Sequence, residues 1–257
     1  MGKRTQSELA RQFLELHRGP KILVLPNAWD VASARIFEDA GFSAIGTSSA
    51  GVAFSLGYPD GEKIPKEEML SAVRRIAEAV EVPVTADVEA GFGSTLEEVA
   101  DTAREVIAAG AVGMNLEDGV EGKPDFLADV NRQKEIIHAV LEVGKRAGIP
   151  FVLNARTDIF LYGIGPAETR LARTIERLNA YHAAGAPSLF APGVKDKETI
   201  AHLTRGLAGP LNILATAGTP AIAELQQLGV ARVSVGSGPM RATLGFLSRM
   251  AAQLRHE

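Results

Sequence analysis

Five short stretches carry side chains that do chemistry, and each directly follows an apolar run. They are Asn27-Ala28-Trp29-Asp30; Thr47-Ser48-Ser49-Ala50-Gly51, with Tyr58-Pro59-Asp60 beyond it; Asp87-Val88-Glu89-Ala90-Gly91-Phe92-Gly93; Asn115-Leu116-Glu117-Asp118; and Asn154-Ala155-Arg156-Thr157-Asp158. Brought to one mouth, Asp87, Glu89, Glu117 and Asp60 would repel one another, so such a site needs a cation or raised pKa values. The chain has no cysteine and five histidines, three of them (His138, His182, His202) in helical stretches. The ligands would then be oxygens, which favours Mg2+, with Mn2+ as the alternative, over zinc.

Each signal has a plainer reading beside it. An aspartate after a strand often caps the next helix, and that is the first reading for Asp118 and Asp158. Asp87 and Glu89 lie two apart and share a face only while strand geometry persists. Grouped with Glu117 from the neighbouring strand, they favour a cation site over capping. Arg156 ends an apolar run among acids, so it reads as a counter-ion or substrate clamp rather than a solvated arginine. Thr47–Gly51 offers closely spaced N–H groups and hydroxyls suited to a carboxylate or phosphate, although small residues also occur where a fold is tight. Trp29, the only tryptophan, reads equally as a site wall or as core.

The elements that must position these residues alternate. Strand candidates are Ile22–Leu25, Ala44–Gly46, Val82–Ala86, Gly113–Leu116, Phe151–Asn154, Ser188–Phe190, Asn212–Leu214 and Arg232–Val235. Amphipathic helices are expected near Val31–Ala40, Lys66–Ala79, Leu96–Ala109, Asn131–Arg146, Pro166–Ala184, Lys197–Arg205, Pro220–Leu228 and Pro239–Arg255. Several end at a glycine, as in Ala109-Gly110 and Ala184-Gly185, where a left-handed residue can stop a helix. Ser94-Thr95 and Thr219-Pro220 look like helix starts. A further helix near Ser7–Leu16 precedes the first strand and is expected at the barrel bottom. Eight βα units favour a closed (β/α)8 barrel of the TIM type over an open doubly wound sheet, and 257 residues suit one such domain spanning the chain. In that fold, polar residues just past the strand ends form the site.

Composition narrows the function. Net charge is −4 with no long basic run, so neither nucleic acid nor an anionic membrane is an expected partner. Without cysteine, disulfides, thiolate zinc sites and a cysteine nucleophile are excluded. The N-terminus lacks the apolar segment of a signal peptide, and no apolar run is long enough to span a bilayer. The expectation is a cytoplasmic protein.

Taken together, Ser48, Gly57-Tyr58-Pro59-Asp60, Asp87 through Gly93, Leu116-Glu117-Asp118 and Ala155-Arg156-Thr157-Asp158 resemble the isocitrate lyase/phosphoenolpyruvate mutase superfamily, in order and spacing, from about Leu14 to the chain end. The resemblance implies Mg2+ held by Asp87, with Glu89 and Glu117 helping partly through water. It implies a 2-oxo acid or enolate whose carboxylate rests on Ser48, Ser49 and the Ala50 backbone, neutralised by Arg156. Trp29, Asn115 and Asn154 are counted with these substrate contacts. Asp60 matches an acid that approaches the reacting centre, and Asp60, Tyr58 and Arg156 are the catalytic candidates. Family members are commonly homotetramers that pack or exchange their last helices, so a tetramer or dimer is expected.

The departures are as informative. The lyases of this superfamily carry a Cys- and His-bearing segment after strand four. Here Gly119–Asp129 has no Cys, no His and one lysine, Lys123. After strand six, where relatives place an acid or histidine, the chain has Ala191-Pro192-Gly193. The expectation is a Mg2+-dependent lyase that breaks a carbon–carbon bond of a small 2-oxo or 2-hydroxy dicarboxylate, by decarboxylation or retro-aldol cleavage, through a metal-stabilised enolate. The alternatives are a phosphonopyruvate-type P–C hydrolase or mutase, and a 2-oxo acid binding protein without turnover. A third is a sugar-phosphate enzyme binding phosphate at Ala217-Gly218-Thr219 and Gly236-Ser237-Gly238.

Overall fold

The computed structural model describes residues 4–120 and 123–255. All eight expected strands form, each within a few residues of its apolar run. β1 (Leu23–Leu25) and β2 (Asn27–Ala28) are two halves of the first strand, followed by β3 (Ile45–Thr47), β4 (Val84–Asp87) and β5 (Gly113–Glu117). A short pair, β6 (Gly119–Val120) and β7 (Lys123–Leu127), precedes β8 (Val152–Arg156), β9 (Ser188–Phe190), β10 (Leu211–Leu214) and β11 (Arg232–Ser234). The main sheet is parallel, in the order β1-β11-β10-β9-β8-β5-β4-β3-β2.

Pro26, which has no N–H to donate, divides the first strand. β1 pairs with β11 and β2 with β3, so the barrel closes through one strand that changes neighbours at the proline. Asn27 stitches this seam. Its Oδ1 accepts from the N–H groups of Val235 and Gly236, both at 2.9 Å, and its Nδ2 donates to Thr47 O at 2.8 Å.

The helices follow the expected pattern. They are α1 (Gln6–Leu16), α2 (Val31–Asp39), α3 (Ser49–Ser55), α4 (Lys66–Ala79), α5 (Leu96–Ala108), α6 (Val130–Arg146), α7 (Ala167–Ala183), α8 (Lys197–Gly206), α9 (Ile222–Gln227) and α10 (Gly238–Leu254). Gly110 (φ 92°) and Gly185 (φ 107°) take the left-handed conformation that ends α5 and α7. Thr95 and Glu98 form a capping box for α5. The expected start at Thr219-Pro220 is corrected. Thr219 Oγ1 accepts from Thr216 N at 3.0 Å, closing a turn, and α9 begins at Ile222.

α1 buries Ala10 and Phe13. The Gln6 amide donates to Ile107 O and Ala111 O at 2.8 Å, which places α1 against the strand-entry end of the barrel. Alternate strand residues such as Met114, Leu116, Leu153 and Ala155 pack under the helices. Each large apolar side chain buried this way is worth about 1.5–3 kcal/mol. The intervening positions, Asn115 and Asn154, bond to each other on the opposite face.

Two stretches outside the expected strands and helices are ordered elements. Residues after β3 form α3, capped by Ser48, whose Oγ accepts from Gly51 N at 3.2 Å. The segment after β5 folds into the antiparallel β6–β7 pair; the Lys123 side chain, with residues 121 and 122, lies outside the described part. Among the described residues, no helix is long and apolar enough to cross a membrane.

Candidate active site

Parallel register lines up one polar residue from each of four neighbouring strands: Asp87 opposite Asn115, Asn115 opposite Asn154, and Asn154 opposite Ser188. Their side chains form a one-directional relay. Ser188 Oγ donates to Asn154 Oδ1 (2.7 Å), Asn154 Nδ2 to Asn115 Oδ1 (2.8 Å), and Asn115 Nδ2 to Asp87 Oδ1 (3.1 Å). From the other side, the backbone N–H and hydroxyl of Ser49 hold Asp87 Oδ2 at 3.1 and 2.8 Å. The Asp87 N–H donates to Thr47 Oγ1 at 2.8 Å. Asp87 is thus fixed at the centre of the mouth by donors from both flanks.

Glu89 follows in a left-handed conformation. Among the described residues only Glu62, Glu89 and Phe92 have positive φ without being glycine (55°, 54° and 52°), and they are clipped together. Glu62 N donates to Glu89 Oε2 (2.9 Å), and Phe92 N donates to Glu62 Oε1 (2.8 Å). Three such residues in contact store about 1–3 kcal/mol of strain each, as functional sites often do. Glu89 Oε1 is buried with no hydrogen-bond partner. Burial pushes its carboxyl up to about 8, against the Glu62 N–H bond and with help from the Asp60 and Asp87 charges.

Glu117 and Arg156 are register partners at the strand ends and form an ion pair at 2.5 Å. Arg156 Nε also donates to Asp158 Oδ1 at 2.6 Å, and its guanidinium lies over the Phe190 ring at 5.9 Å. Burial raises Glu117 well above the usual carboxylate range even though Arg156 opposes it. Burial alone would lower the Arg156 pKa, but Glu117, Asp158 and Asp87 outweigh it and raise it. Arg156 Nη2 carries no hydrogen bond among the described residues.

Asp118 is not a helix cap. Its Oδ2 accepts from the Tyr181 hydroxyl (2.7 Å) and Arg177 Nη1 (3.1 Å), and its Oδ1 accepts from Asp158 N (3.0 Å). Its carbonyl accepts from Ala128 N (2.8 Å), and Arg177 also donates to Ala128 O (2.9 Å). The Asp118 carboxylate therefore ties α7 to the ends of β5 and β8, and its carbonyl, with Arg177, holds the base of the β6–β7 pair. Sequence reasoning missed Arg177, Tyr181, Ser188 and Glu62. The period-two spacing of Asn115 with Glu117 and of Asn154 with Arg156 was the available signal for an inward polar face.

Asp60 sits exposed at the rim, where the surrounding protein and then the Asp87 charge raise its pKa; Arg156 and Arg241 oppose the rise. The Tyr58 hydroxyl donates to Glu68 of α4 at 2.9 Å. Trp29 packs on α3 with Val52 and Ala53. A Cβ at Gly51 would stand 2.9 Å from Trp29 Cβ, so Trp29 lies close against α3. After strand six, Gly193 lies against the backbone of Leu161, where a Cβ would approach to 2.7 Å. The Gly236 N–H expected at a phosphate is given to Asn27. Among the described residues, no three carboxylate or histidine side chains converge closely enough to ligate one metal ion directly as they stand.

Known proteins share this fold. The chain is 30% identical over 243 residues to oxaloacetate decarboxylase 2 of Pseudomonas putida (strain W619), covering 91% of this chain and 76% of that one. It superposes on a candidate phosphonomutase of Burkholderia cenocepacia J2315 with a TM-score of 0.91 and 38% identity, over 97% of this chain and 99% of that one. It matches a phosphonopyruvate hydrolase solved with oxalate and Mg++ with a TM-score of 0.87 and 25% identity, over 96% and 87% of the two chains. The model of the phosphoenolpyruvate phosphomutase family matches residues 13–255. The likeness thus runs through the whole barrel and every strand end described above, and the chain belongs to that family, within the isocitrate lyase/phosphoenolpyruvate mutase superfamily.

Proposed function

We propose that the protein is a Mg2+-dependent lyase that cleaves a carbon–carbon bond of a small 2-oxo or 2-hydroxy dicarboxylate. The observation that carries this reading is Asp87, gripped by Ser49 and Asn115 while Asp60, Glu89 and Glu117 crowd it with charge. The unpartnered Glu89 Oε1 and the raised carboxyls fit a site completed by a cation. Asp87 would hold it directly, and Glu89 and Glu117 through water, as Mg2+ commonly binds. Bound there, Mg2+ supplies positive charge to the oxygen that becomes an enolate when the bond breaks.

The chain's own residues do the rest. Arg156, with Nη2 uncommitted, binds the carboxylate next to the reacting carbon, and Ser48, Ser49 and Ala50 form the opposite wall. Asp60, its carboxyl raised above its ordinary value by burial and the Asp87 charge, suits proton transfer. In decarboxylation the carbon–carbon electron pair passes into the 2-oxo group, CO2 leaves, and a proton is returned to carbon. In retro-aldol cleavage Asp60 takes the hydroxyl proton as the bond breaks, and the departing carbanion is protonated. The oxaloacetate decarboxylase relative supports carbon–carbon over phosphorus–carbon cleavage.

The reading includes a homo-oligomer, dimer or tetramer, located in the cytoplasm. α10 leaves Leu244, Phe246, Leu247, Met250 and Leu254 exposed, and an apolar face of that kind marks an interaction surface. Proton NMR with Mg2+ and oxaloacetate, 2-methylmalate and phosphonopyruvate, with EDTA controls, tests the activity. Mg2+-dependent product above the spontaneous background is expected, lost in Asp87→Ala. An unaffected Asp87→Ala would refute the proposal.

A further inference from the structure

A cleft of about 250 Å³ adjoins the mouth, lined by Ala50, Phe54, Tyr58, Asp60, Met240, Arg241 and Leu244. It runs between α3 and the first turns of α10 and shares Ala50 and Asp60 with the site. Its walls, Phe54, Met240 and Leu244, are apolar. One guanidinium stands on it. Arg241 Nε donates to Ser237 Oγ at 3.0 Å, which anchors the stem. Its terminal nitrogens carry no hydrogen bond or ion pair among the described residues. Asp60 lines the cleft with Arg241 and lies within electrostatic reach of both Arg156 and Arg241.

A diacid carries a second carboxylate, which a further cationic donor would bind strongly. Arg156 is already shared with Glu117 and Asp158 and has one nitrogen left for one carboxylate. We propose that the cleft receives the part of the substrate beyond the reacting carbons, with Arg241 pairing the second carboxylate and Phe54, Met240 and Leu244 contacting an apolar branch. The substrate class is then a branched 2-oxo or 2-hydroxy diacid, in preference to an unbranched or phosphonate one. This rests on the lyase reading above for the position of the first carboxylate.

Calorimetric titration in Mg2+ with two probes tests it: oxalate, which ends at the first carboxylates, and 2-methylmalate, which carries a branch and a distant acid. The quantity read is the ratio of the two affinities. In Arg241→Gln, and in Leu244→Glu, which sets a negative charge on the cleft wall, the ratio is expected to shift against 2-methylmalate by tenfold or more. Arg241→Lys should recover part of it. Both probes binding the wild type with a ratio that neither variant moves beyond twofold would overturn the inference alone. A wild type that binds oxalate but not 2-methylmalate would overturn it too. Failure of oxalate to bind the wild type in Mg2+ would refute the lyase reading, and this inference with it.

Discussion

Asn154 donates a 2.8 Å hydrogen bond to Asn115, and Asn115 in turn donates to Asp87, so a residue that never touches Asp87 sets the direction of the amide that does. The parallel register places the three side by side. Asn154→Ala leaves buried groups on Asn115 and Ser188 unpaired, at about 1–3 kcal/mol of stability. Loosening the group that holds a metal ligand commonly weakens binding by roughly 10–100-fold. Mg2+ titration of the variant, with urea unfolding alongside, reads both. Wild-type Mg2+ affinity in Asn154→Ala would mean that the relay does not position Asp87.

On the proposed reading, Glu89 would make Mg2+ binding depend on pH. Its folded pKa, about 8, is raised above the ordinary 4.5. Its protonated form therefore favours the fold fully below 4.5, and that contribution is lost as pH rises through 8. A cation competes with the same proton, so Mg2+ affinity should climb from pH 6 to 8, by up to roughly tenfold per unit, and level off above that. Glu89→Gln should flatten the profile. A steep profile retained in Glu89→Gln would assign the proton elsewhere.

His17 acts on stability with the opposite sign. Its Nδ1 bonds Phe13 O at 2.8 Å, and burial, reinforced by the nearby Arg232 charge, lowers its pKa to about 3. The neutral ring's contribution is complete above an unfolded pKa of about 6.5. It is lost as pH falls toward 3, at about 1.4 kcal/mol per unit. Between pH 7 and 5 the wild type should lose about 2 kcal/mol more than His17→Leu in urea unfolding. Equal losses in the two proteins would show that His17 is not held neutral.

The amino-acid sequence by itself determined where the strands and most helices lie, and therefore where the mouth is. Apolar runs such as Gly113–Leu116 and helical periods such as Lys66–Ala79 are local signals that burial in a barrel reinforces; α4 begins and ends where its periodicity does. It also set which residue types reach the mouth, since Asp87, Glu117 and Arg156 each end a strand. α3 was hidden because Ser49-Ala50-Gly51 has no apolar period to announce a helix, and its start is fixed by Ser48 and by the approach of Asp87. Only the tertiary structure decided which donor meets which acceptor. Tyr58 turns to Glu68, Asp118 joins Tyr181 from 63 residues away, and Asn27 meets Val235 across 208. Barrel closure and register put these partners together, and a hydrogen bond, being short and directional, exists only where the whole fold delivers both ends.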